Sequence, residues 1–189
     1  NLGIALLLAP LGKAAVADGP GDLRERLSSV LAALNVNDAV RCYRAIRLAS
    51  PAGMATVDDQ DISYQPTLGL KEIMLLASER DLIAMQYVNN YDDIYRVGLP
   101  KLKHFRKRWR SLAWACTSCY LGFLASFDDS HIVRKHGIAV AGAVRKRASE
   151  VEKALEACEN PRRVRHLLSA FDHELKMGGV NPGTSADLT

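Results

Sequence analysis

The sequence predicts an all-α protein, a single-domain bundle of about seven helices over residues 1–189. Three observations predict this fold class. Apolar residues recur every three or four positions through most of the chain, which is the spacing of one helix face. No stretch of useful length alternates apolar and polar residues as a half-buried strand does. Aromatic residues make up only 6% of the chain, which does not favour a β-sandwich built on aromatic strands.

Four helices are predicted in the first half of the chain. Asp22 follows a Gly-Pro-Gly turn and is a good N-cap. Pro51 ends the third helix, because the residue before a proline avoids helical geometry. Residues 49–66 hold three carboxylates and predict a long loop, which in a compact domain is either functional or disordered. The predicted helices are Leu2–Ala17, Leu23–Leu34, Asn37 or Asp38 to the residues before Pro51, and Thr67 or Gly69 to about Asn89.

Three more helices are predicted in the second half. Pro100 lies near the first turn of the longest of them, which begins basic and ends apolar. Asp128–Gly137 is a polar break, and a Gly-Gly pair ends the last full helix. The predicted helices are Leu99–Phe127, Ile138 to about Cys158, and Pro161–Lys176, and a further helix begins near Ser185 as the sequence ends.

Composition and charge describe an ordinary globular protein. The chain is 48% hydrophobic and 24% charged with a mean hydropathy of −0.06, which excludes wholesale disorder. The net charge of +4 suits an anionic substrate but is too small to argue for nucleic acid. The four cysteines do not form a secreted-type disulfide framework, so free thiols and a cytoplasmic location are expected.

The first apolar stretch, Leu2–Ala17, does not indicate a membrane protein. It is interrupted by Pro10, Gly12 and Lys13, is too short to cross a bilayer and lacks a basic leader, so neither a signal peptide nor a membrane partner is expected. An apolar start at Asn1 and an end at a new helix suggest a piece of a longer protein. Two apolar segments, Leu2–Leu8 and Trp114–Phe123, fit a core or the interface of a homo-oligomer equally well.

Two motifs could be functional, but packing or solvation explains each of them as well. Cys116 and Cys119 have the spacing of a zinc pair, but a second pair is missing and the flanks are apolar, which favours packed thiols. The basic run Lys101–Arg110 lies on one amphipathic helix without a companion nucleic-acid motif. It favours a solvated or anion-facing helix face, and no nucleic-acid partner is expected.

Three polar segments are candidates for chemistry. The stretch Asp58–Asp61 clusters carboxylates, which suits a cation or acid–base work or a solvated acidic turn. Asp128–Gly137 combines Arg134 and Lys135, which suit phosphate oxygens, with two histidines able to transfer protons. A charged turn at the surface would have the same composition. Asn181–Asp187 places small residues before a helix start. Backbone N–H groups at such a position can bind phosphate, but a serine that only caps the helix is an equally good explanation.

Together, four segments resemble the triphosphoribosyl-dephospho-CoA synthase family. In members of the family the last segment typically reads Pro-Gly-Gly-Ser-Ala-Asp-Leu, and here Thr184 stands in place of the second glycine. The family's N-terminal Lys-Pro-Gly-Asn motif is absent from this chain. The likeness is greatest to a divergent branch associated with one-carbon metabolism in methylotrophs. The matching segments are Asn1–Gly3, Ala45–Thr67, Ser130–Gly137 and Asn181–Leu188.

The resemblance implies an all-α transferase. Such enzymes move the 5-triphosphoribosyl group of ATP to the 2′-hydroxyl of 3′-dephospho-CoA and release adenine, which makes the prosthetic-group precursor of an acyl carrier protein. ATP and dephospho-CoA are therefore the expected small-molecule partners, with Mg²⁺ on the triphosphate. A related nucleotide-dependent transferase with another acceptor, a non-enzymatic helical interaction protein and a nucleic-acid binder remain alternatives.

The chemistry of that reaction assigns roles to the candidate residues. Carboxylates stabilise positive charge on the ribose and hold the metal, cations bind the triphosphate, and an acid protonates the departing adenine. His131 is the expected proton donor. The expected metal or catalytic carboxylates are Asp59, Asp61 and Asp187. The expected groups for the triphosphate and its phosphate oxygens are Arg134, Lys135, His136, Gly183, Thr184 and Ser185.

Overall fold

A computed structural model describes residues 1–49 and 59–189, which fall into two compact units, Asn1–Asp92 and Asp93–Thr189. Within those residues every regular element is helical, which confirms the all-α prediction. The predicted number of about seven helices is wrong, because eleven α-helices lie in the described part of the chain, with one π-helical turn and one 3₁₀ turn. The prediction of a single domain over 1–189 stays a prediction.

The first unit contains five α-helices, and the first of them holds Pro10. This proline has no N–H group, so it leaves the carbonyl of Leu6, four residues earlier, without its helical donor. The hydroxyl of buried Tyr87 donates to that oxygen at 2.6 Å, and the hydroxyl of Tyr91 donates to the carbonyl of Leu7 at 2.8 Å. The helices are α1 (Leu2–Val16), α2 (Leu23–Ala32), α3 (Val36–Ala49), α4 (Leu70–Ala77) and α5 (Leu82–Val88).

Side-chain caps set the boundaries in this unit. The predicted N-cap Asp22 is confirmed, because its carboxylate accepts the N–H of Glu25 at 2.9 Å. The single helix predicted from Thr67 or Gly69 to Asn89 is wrong. Asp81 starts a new helix within it, since its carboxylate accepts the N–H groups of Ile83 and Ala84 at 2.8 and 3.3 Å.

The second unit contains six α-helices, and one predicted helix is again divided. Arg110 adopts a left-handed conformation (φ 50°, ψ 33°) that ends α6, and Ser111 then caps α7. The segment Asp128–Gly137, predicted as a break, holds the seven-residue helix α8. The elements are a π turn (Ile94–Gly98), α6 (Leu99–Trp109), α7 (Leu112–Ser126), α8 (Ser130–His136), α9 (Ile138–Ala157), a 3₁₀ turn (Pro161–Val164), α10 (Arg165–Met177) and α11 (Gly183–Leu188).

The core of this unit lies around α7, which packs against α6 and α9. Leu121 and Phe123 are fully buried, so the apolar segment Trp114–Phe123 contributes to a core rather than to an open surface. On α1 of the other unit, by contrast, Ile4 and Leu8 keep 38% and 57% of their surface exposed.

A glycine lets one lysine cross this core. The ammonium of Lys101 on α6 pairs with Glu152 at 2.8 Å and Glu156 at 2.7 Å on α9. The side chain passes directly over Gly122 of α7, where a Cβ atom would lie 2.5 Å from Lys101 Cδ. Ser118 donates to the same Glu156 oxygen at 3.0 Å, so the lysine links three helices through a partly buried polar network.

Two further findings concern the thiols and the membrane. All four cysteines are free, and burial raises the pKa of the Cys119 thiol to about 11, which keeps that thiol protonated. In the parts of the chain that the structure describes, no helix combines the length and the apolar character needed to cross a membrane.

Candidate functional site

The strongest polar junction in the second unit forms around Asp129, which ends the connection from α7 and caps α8. Its side chain is only 1% exposed. Oδ1 accepts the N–H groups of His131 and Ile132 at 2.9 and 3.1 Å, which satisfies two of the free donors at the start of α8.

The second oxygen of this carboxylate binds α11. Oδ2 of Asp129 accepts both the backbone N–H of Ser185 at 2.7 Å and its hydroxyl at 2.8 Å. The hydroxyl oxygen of Thr184 also accepts the N–H of His131 at 3.1 Å. Two segments of the resemblance, 130–137 and 181–188, therefore meet in one hydrogen-bonded structure, which we call the α8–α11 junction (Asp129–His136 with Gly183–Leu188).

Asp129 has no acceptor capacity left. A carboxylate offers about four lone-pair positions, and four donors from the protein occupy them. The carboxylate of Asp129 therefore holds the segments of α8 and α11 together. Asp129 was not predicted as a site residue, although an aspartate immediately before a helix start is an N-cap signal that could have identified it.

His131 lies at the centre of the junction. Its pKa is lowered from the ordinary value of 6.5, chiefly by burial and then by the positive charges of Arg134 and Lys135, while Asp129 and Asp187 oppose the shift. These groups therefore lie within electrostatic range of one imidazole. A lowered pKa favours the neutral ring at pH 7, which suits a proton acceptor, and the predicted role of proton donor stays a prediction.

The imidazole is held closely but has one unused nitrogen. Nε2 is shielded from solvent, and no hydrogen-bond partner for it exists among residues 1–49 and 59–189. On the other side of the ring, a Cβ atom at position 183 would lie 3.3 Å from Nδ1, so Gly183 allows the chain to pass against His131.

The positive charges of α8 lie at the protein surface. Arg134, Lys135 and His136 are exposed in the last turn of α8, and Asp187 is half-buried on α11. This arrangement gives the junction an interior held by Asp129 and an outer surface with cations and one carboxylate.

The phosphate cradle predicted for the last segment does not match the hydrogen bonds. The N–H of Gly183 donates to the carbonyl of Asn181 at 2.8 Å, and both donors of Ser185 are engaged by Asp129. Ser185 is moreover fully buried. The N–H of Gly183 and both donors of Ser185 are thus occupied within the protein, and the phosphate-binding roles of Gly183, Thr184 and Ser185 stay predictions.

The acidic stretch of the first unit is anchored by α3. The hydroxyl of Tyr43 donates to the carbonyl of Gln60, and Arg47 Nη1 donates to the carbonyl of Ile62 at 2.7 Å. Burial, then the charges of neighbouring groups that include Asp61 and Asp59, raises the pKa of Tyr43. Neither anchor was singled out by the sequence analysis as a functional residue.

The two aspartates of this stretch differ in accessibility. Asp61 is 6% exposed, and its Oδ1 accepts the N–H of Ser63 at 2.8 Å in an Asx turn. Asp59 is exposed, and its Oδ1 accepts from the side-chain amide of Gln60 at 3.2 Å. Asp58, the third carboxylate of the loop, lies outside the described residues.

The predicted site residues therefore form two groups. Asp59 and Asp61 belong to one unit, and the α8–α11 junction belongs to the other. Their convergence on one pocket stays a prediction. In the described ranges 1–49 and 59–189, no three His, Cys, Asp or Glu side chains are placed to hold a metal ion.

Comparisons with known proteins identify the family. A family model described as ATP:dephospho-CoA triphosphoribosyl transferase matches residues 1–189. The chain is similar to a solved structure from Archaeoglobus fulgidus provisionally assigned as a triphosphoribosyl-dephospho-CoA synthase, with 26% identity over 98% of this chain and 77% of that chain and a TM-score of 0.74. A search of curated proteins gives no significant match. With its whole length matched, the chain belongs to the ATP:dephospho-CoA triphosphoribosyl transferase family.

Proposed function

We propose that this protein transfers the 5-triphosphoribosyl group of ATP to the 2′-hydroxyl of 3′-dephospho-CoA and releases adenine. The bond from C1′ to the adenine nitrogen breaks, and a bond from C1′ to the acceptor oxygen forms. The hydroxyl loses its proton, and adenine gains one. Family membership over the whole chain supports the reaction, and the α8–α11 junction is the observation that carries the placement of its residues.

The ribose carbon needs negative charge beside it as the adenine departs. Breaking the glycosidic bond builds positive charge at C1′, which a nearby carboxylate stabilises as in glycoside hydrolysis. Asp187 is proposed for this role. It acts on His131 electrostatically and is half-buried, so it lies near the candidate base without being sealed from a substrate.

His131 is proposed as the group that takes the proton from the acceptor hydroxyl. Its lowered pKa keeps the ring neutral at physiological pH, and its shielded Nε2 is not used by the described part of the protein. A positioned general base contributes on the order of 10²–10⁴-fold to a rate. Gly183 and Asp129 fix the segment around the ring, so the base is held in place before substrate binds.

The triphosphate is proposed to lie along the exposed end of α8. Arg134 binds phosphate oxygens in bidentate fashion, and Lys135 and His136 add positive charge beside it. Thr184 is buried, and its hydroxyl oxygen accepts the N–H of His131, which helps to fix the start of α8.

Mg²⁺ is proposed as the companion of the triphosphate. This ion keeps several waters and binds through one or two carboxylates together with substrate phosphates, so a site of three protein ligands is not required. Asp187, the half-buried carboxylate of the α8–α11 junction, would hold it, and the metal-binding roles of Asp59 and Asp61 in the other unit stay predictions. When bound, the ion neutralises phosphate charge.

Adenine release tests this proposal directly. The full-length protein is incubated with ATP and dephospho-CoA, with and without Mg²⁺, and free adenine is separated and quantified. We expect adenine only when both substrates are present, and a loss of about 10²–10³-fold in Asp187→Asn. Asp172→Asn is the matched control, because Asp172 is exposed on α10, where it pairs with nearby Lys176.

Two outcomes would remove the proposal. Absence of adenine from the wild-type protein rejects the reaction. Equal activity in Asp187→Asn and Asp172→Asn rejects the assigned carboxylate. Adenine release that needs ATP but ignores dephospho-CoA would instead indicate another acceptor.

We also propose a cytoplasmic location, because four free thiols suit a reducing compartment. Formation of a homo-oligomer through the exposed apolar side chains of α1 stays a prediction, and sedimentation of the purified protein measures it.

A further inference from the structure

A surface cavity of about 530 Å³ lies outside the α8–α11 junction, where α6 turns into α7 and α9 leads into the 3₁₀ turn. The cavity is open to solvent and its lining is mostly polar, and its volume falls within the range of small-molecule sites, about 300–1,000 Å³. Its lining combines guanidinium groups with both tryptophans of the chain. The side chains that matter are Arg108, Trp109, Arg110, Trp114, Glu159 and Arg162.

The cavity has an excess of positive charge. Arg108 is occupied, because it pairs with Glu159 at 2.8 Å and donates to the carbonyl of Glu156 at 2.8 Å. Arg110 and Arg162 are exposed, and neither contacts a carboxylate in the described part of the chain. Two guanidinium groups therefore remain for an anion at this surface.

The aromatic side of the cavity is rigid. The Trp109 ring stacks on Phe105 with centroids 4.4 Å apart and planes at 26°, and its Nε1 donates to the carbonyl of Cys158 at 3.2 Å. Trp114 is half-buried in the first turn of α7. A flat, fixed indole is a stacking surface for a planar base, and stacking of this kind tolerates different bases.

We propose that this cavity is a second nucleotide-binding site. The phosphates of a nucleoside diphosphate bind Arg110 and Arg162, and the base stacks on an indole. The left-handed conformation of Arg110 places it at the turn before α7, whose N-terminal end adds a favourable potential for the same anion.

This site is separate from the junction proposed for catalysis. The cavity lies at the start of α7, beside Ser111, and Asp129 follows the end of the same helix at Ser126. A helix of 15 residues is about 22 Å long, so the two places are roughly 20 Å apart. The inference goes beyond the proposed function and does not depend on the reaction.

The two tryptophans make the test specific, since they are the only ones in the chain and both line the cavity. The experiment titrates ADP into the full-length protein and follows tryptophan fluorescence. We expect saturable quenching by ADP, weaker quenching by adenosine and by inorganic pyrophosphate, and affinity lowered at least about tenfold in Arg110→Ala/Arg162→Ala.

Two variants serve as controls. Arg163→Ala removes an exposed arginine next to Arg162 that does not line the cavity, and it is expected to bind ADP like the wild type. Arg134→Ala removes a cation from the junction, and quenching is expected to persist in it. Loss of quenching in Arg134→Ala would mean that the fluorescence reports on the junction instead, which overturns the second site.

Other results also overturn the proposal. These are no quenching up to millimolar ADP, equal quenching in the wild type and in Arg110→Ala/Arg162→Ala, or equal affinity for adenosine and ADP. Tighter binding of a short single-stranded oligonucleotide than of ADP would reassign the surface to nucleic acid, because exposed Lys103, Arg106 and Lys107 continue its positive charge along α6.

Discussion

Replacing Asp129 by asparagine tests the α8–α11 junction with a change of one atom. The buried carboxylate accepts four hydrogen bonds, two at the start of α8 and two from Ser185. An asparagine keeps Oδ1 and can still cap α8, because Asn and Asp are nearly equal N-caps. Its Nδ2 replaces Oδ2, however, and would face the backbone N–H of Ser185, donor against donor.

The cost follows from these contacts. The Ser185 hydroxyl can rotate and accept from the new amide, so that contact is largely retained. The backbone N–H of Ser185 has no such freedom, and a buried unsatisfied donor costs about 1–3 kcal/mol on top of the lost charge-assisted bond. We expect Asp129→Asn to lower the free energy of unfolding by about 2–3 kcal/mol. Ser185→Ala, which loses only the hydroxyl bond, should lower it by about 1 kcal/mol.

Urea unfolding followed by circular dichroism, which reports on the helices of both units, measures this free energy, and the fluorescence of Trp109 and Trp114 follows the second unit alone. Asp22→Asn is the matched control. Asp22 is also an N-cap but is exposed and accepts a single backbone bond from Glu25, so its replacement should cost less than about 0.5 kcal/mol. Equal effects of the two substitutions, or an effect of Asp129→Asn below about 0.5 kcal/mol, would refute the reasoning.

Three further predictions use other contacts. Gly98→Ala should lower the free energy of urea unfolding by about 1–3 kcal/mol, because the added Cβ atom would lie 2.6 Å from Cζ of fully buried Phe123. A change near zero would contradict this packing. Gly122→Ala gains about 1 kcal/mol of helix propensity but displaces Lys101 from its two glutamates, so we expect the free energy of unfolding to fall by about 1–2 kcal/mol. This loss should be smaller in high salt, and a stabilised variant would contradict the ion-pair argument. The pKa of His131 in the folded protein lies below 6.5, so the unfolded chain binds the proton more readily. The free energy of unfolding should therefore fall as the pH drops from 6.5 towards that lower pKa, and His131→Gln should flatten this dependence. An imidazole that titrates by NMR at or above pH 6.5 would reject this prediction.

The helical fold was predictable because its signals are local. Apolar spacing and the cap at Asp22 lie within a few residues of what they determine. The breaks at Asp81 and Arg110 were missed for the opposite reason. The apolar stripe continues across Asp81 to Ile83, and Arg110 takes a left-handed conformation without the glycine that usually signals one. The predicted number of helices was therefore too small.

The candidate site was only partly predictable. The residue types of segments 130–137 and 181–188 indicated anion chemistry, and the structure joins those two segments. The bonds that join them connect Asp129 with Ser185, 56 positions apart, and no periodicity or spacing reports such a pairing. The prediction that Ser185 binds phosphate rests on its short-range context, which is that of a helix N-terminus.

The saturation of Asp129 determines how the junction can work. With its four acceptor positions filled from within the protein, this carboxylate has none left for a metal ion or for a proton from substrate. Any charge offered to a ligand must come from exposed Arg134 and Lys135 and from half-buried Asp187, which stand on the two helices that Asp129 connects. Their relative placement therefore depends on a group that touches no substrate. Asp129→Asn should weaken ATP binding through α8 even where the protein remains folded. Unchanged ATP binding would show that the placement of Arg134 and Lys135 does not depend on the α8–α11 junction.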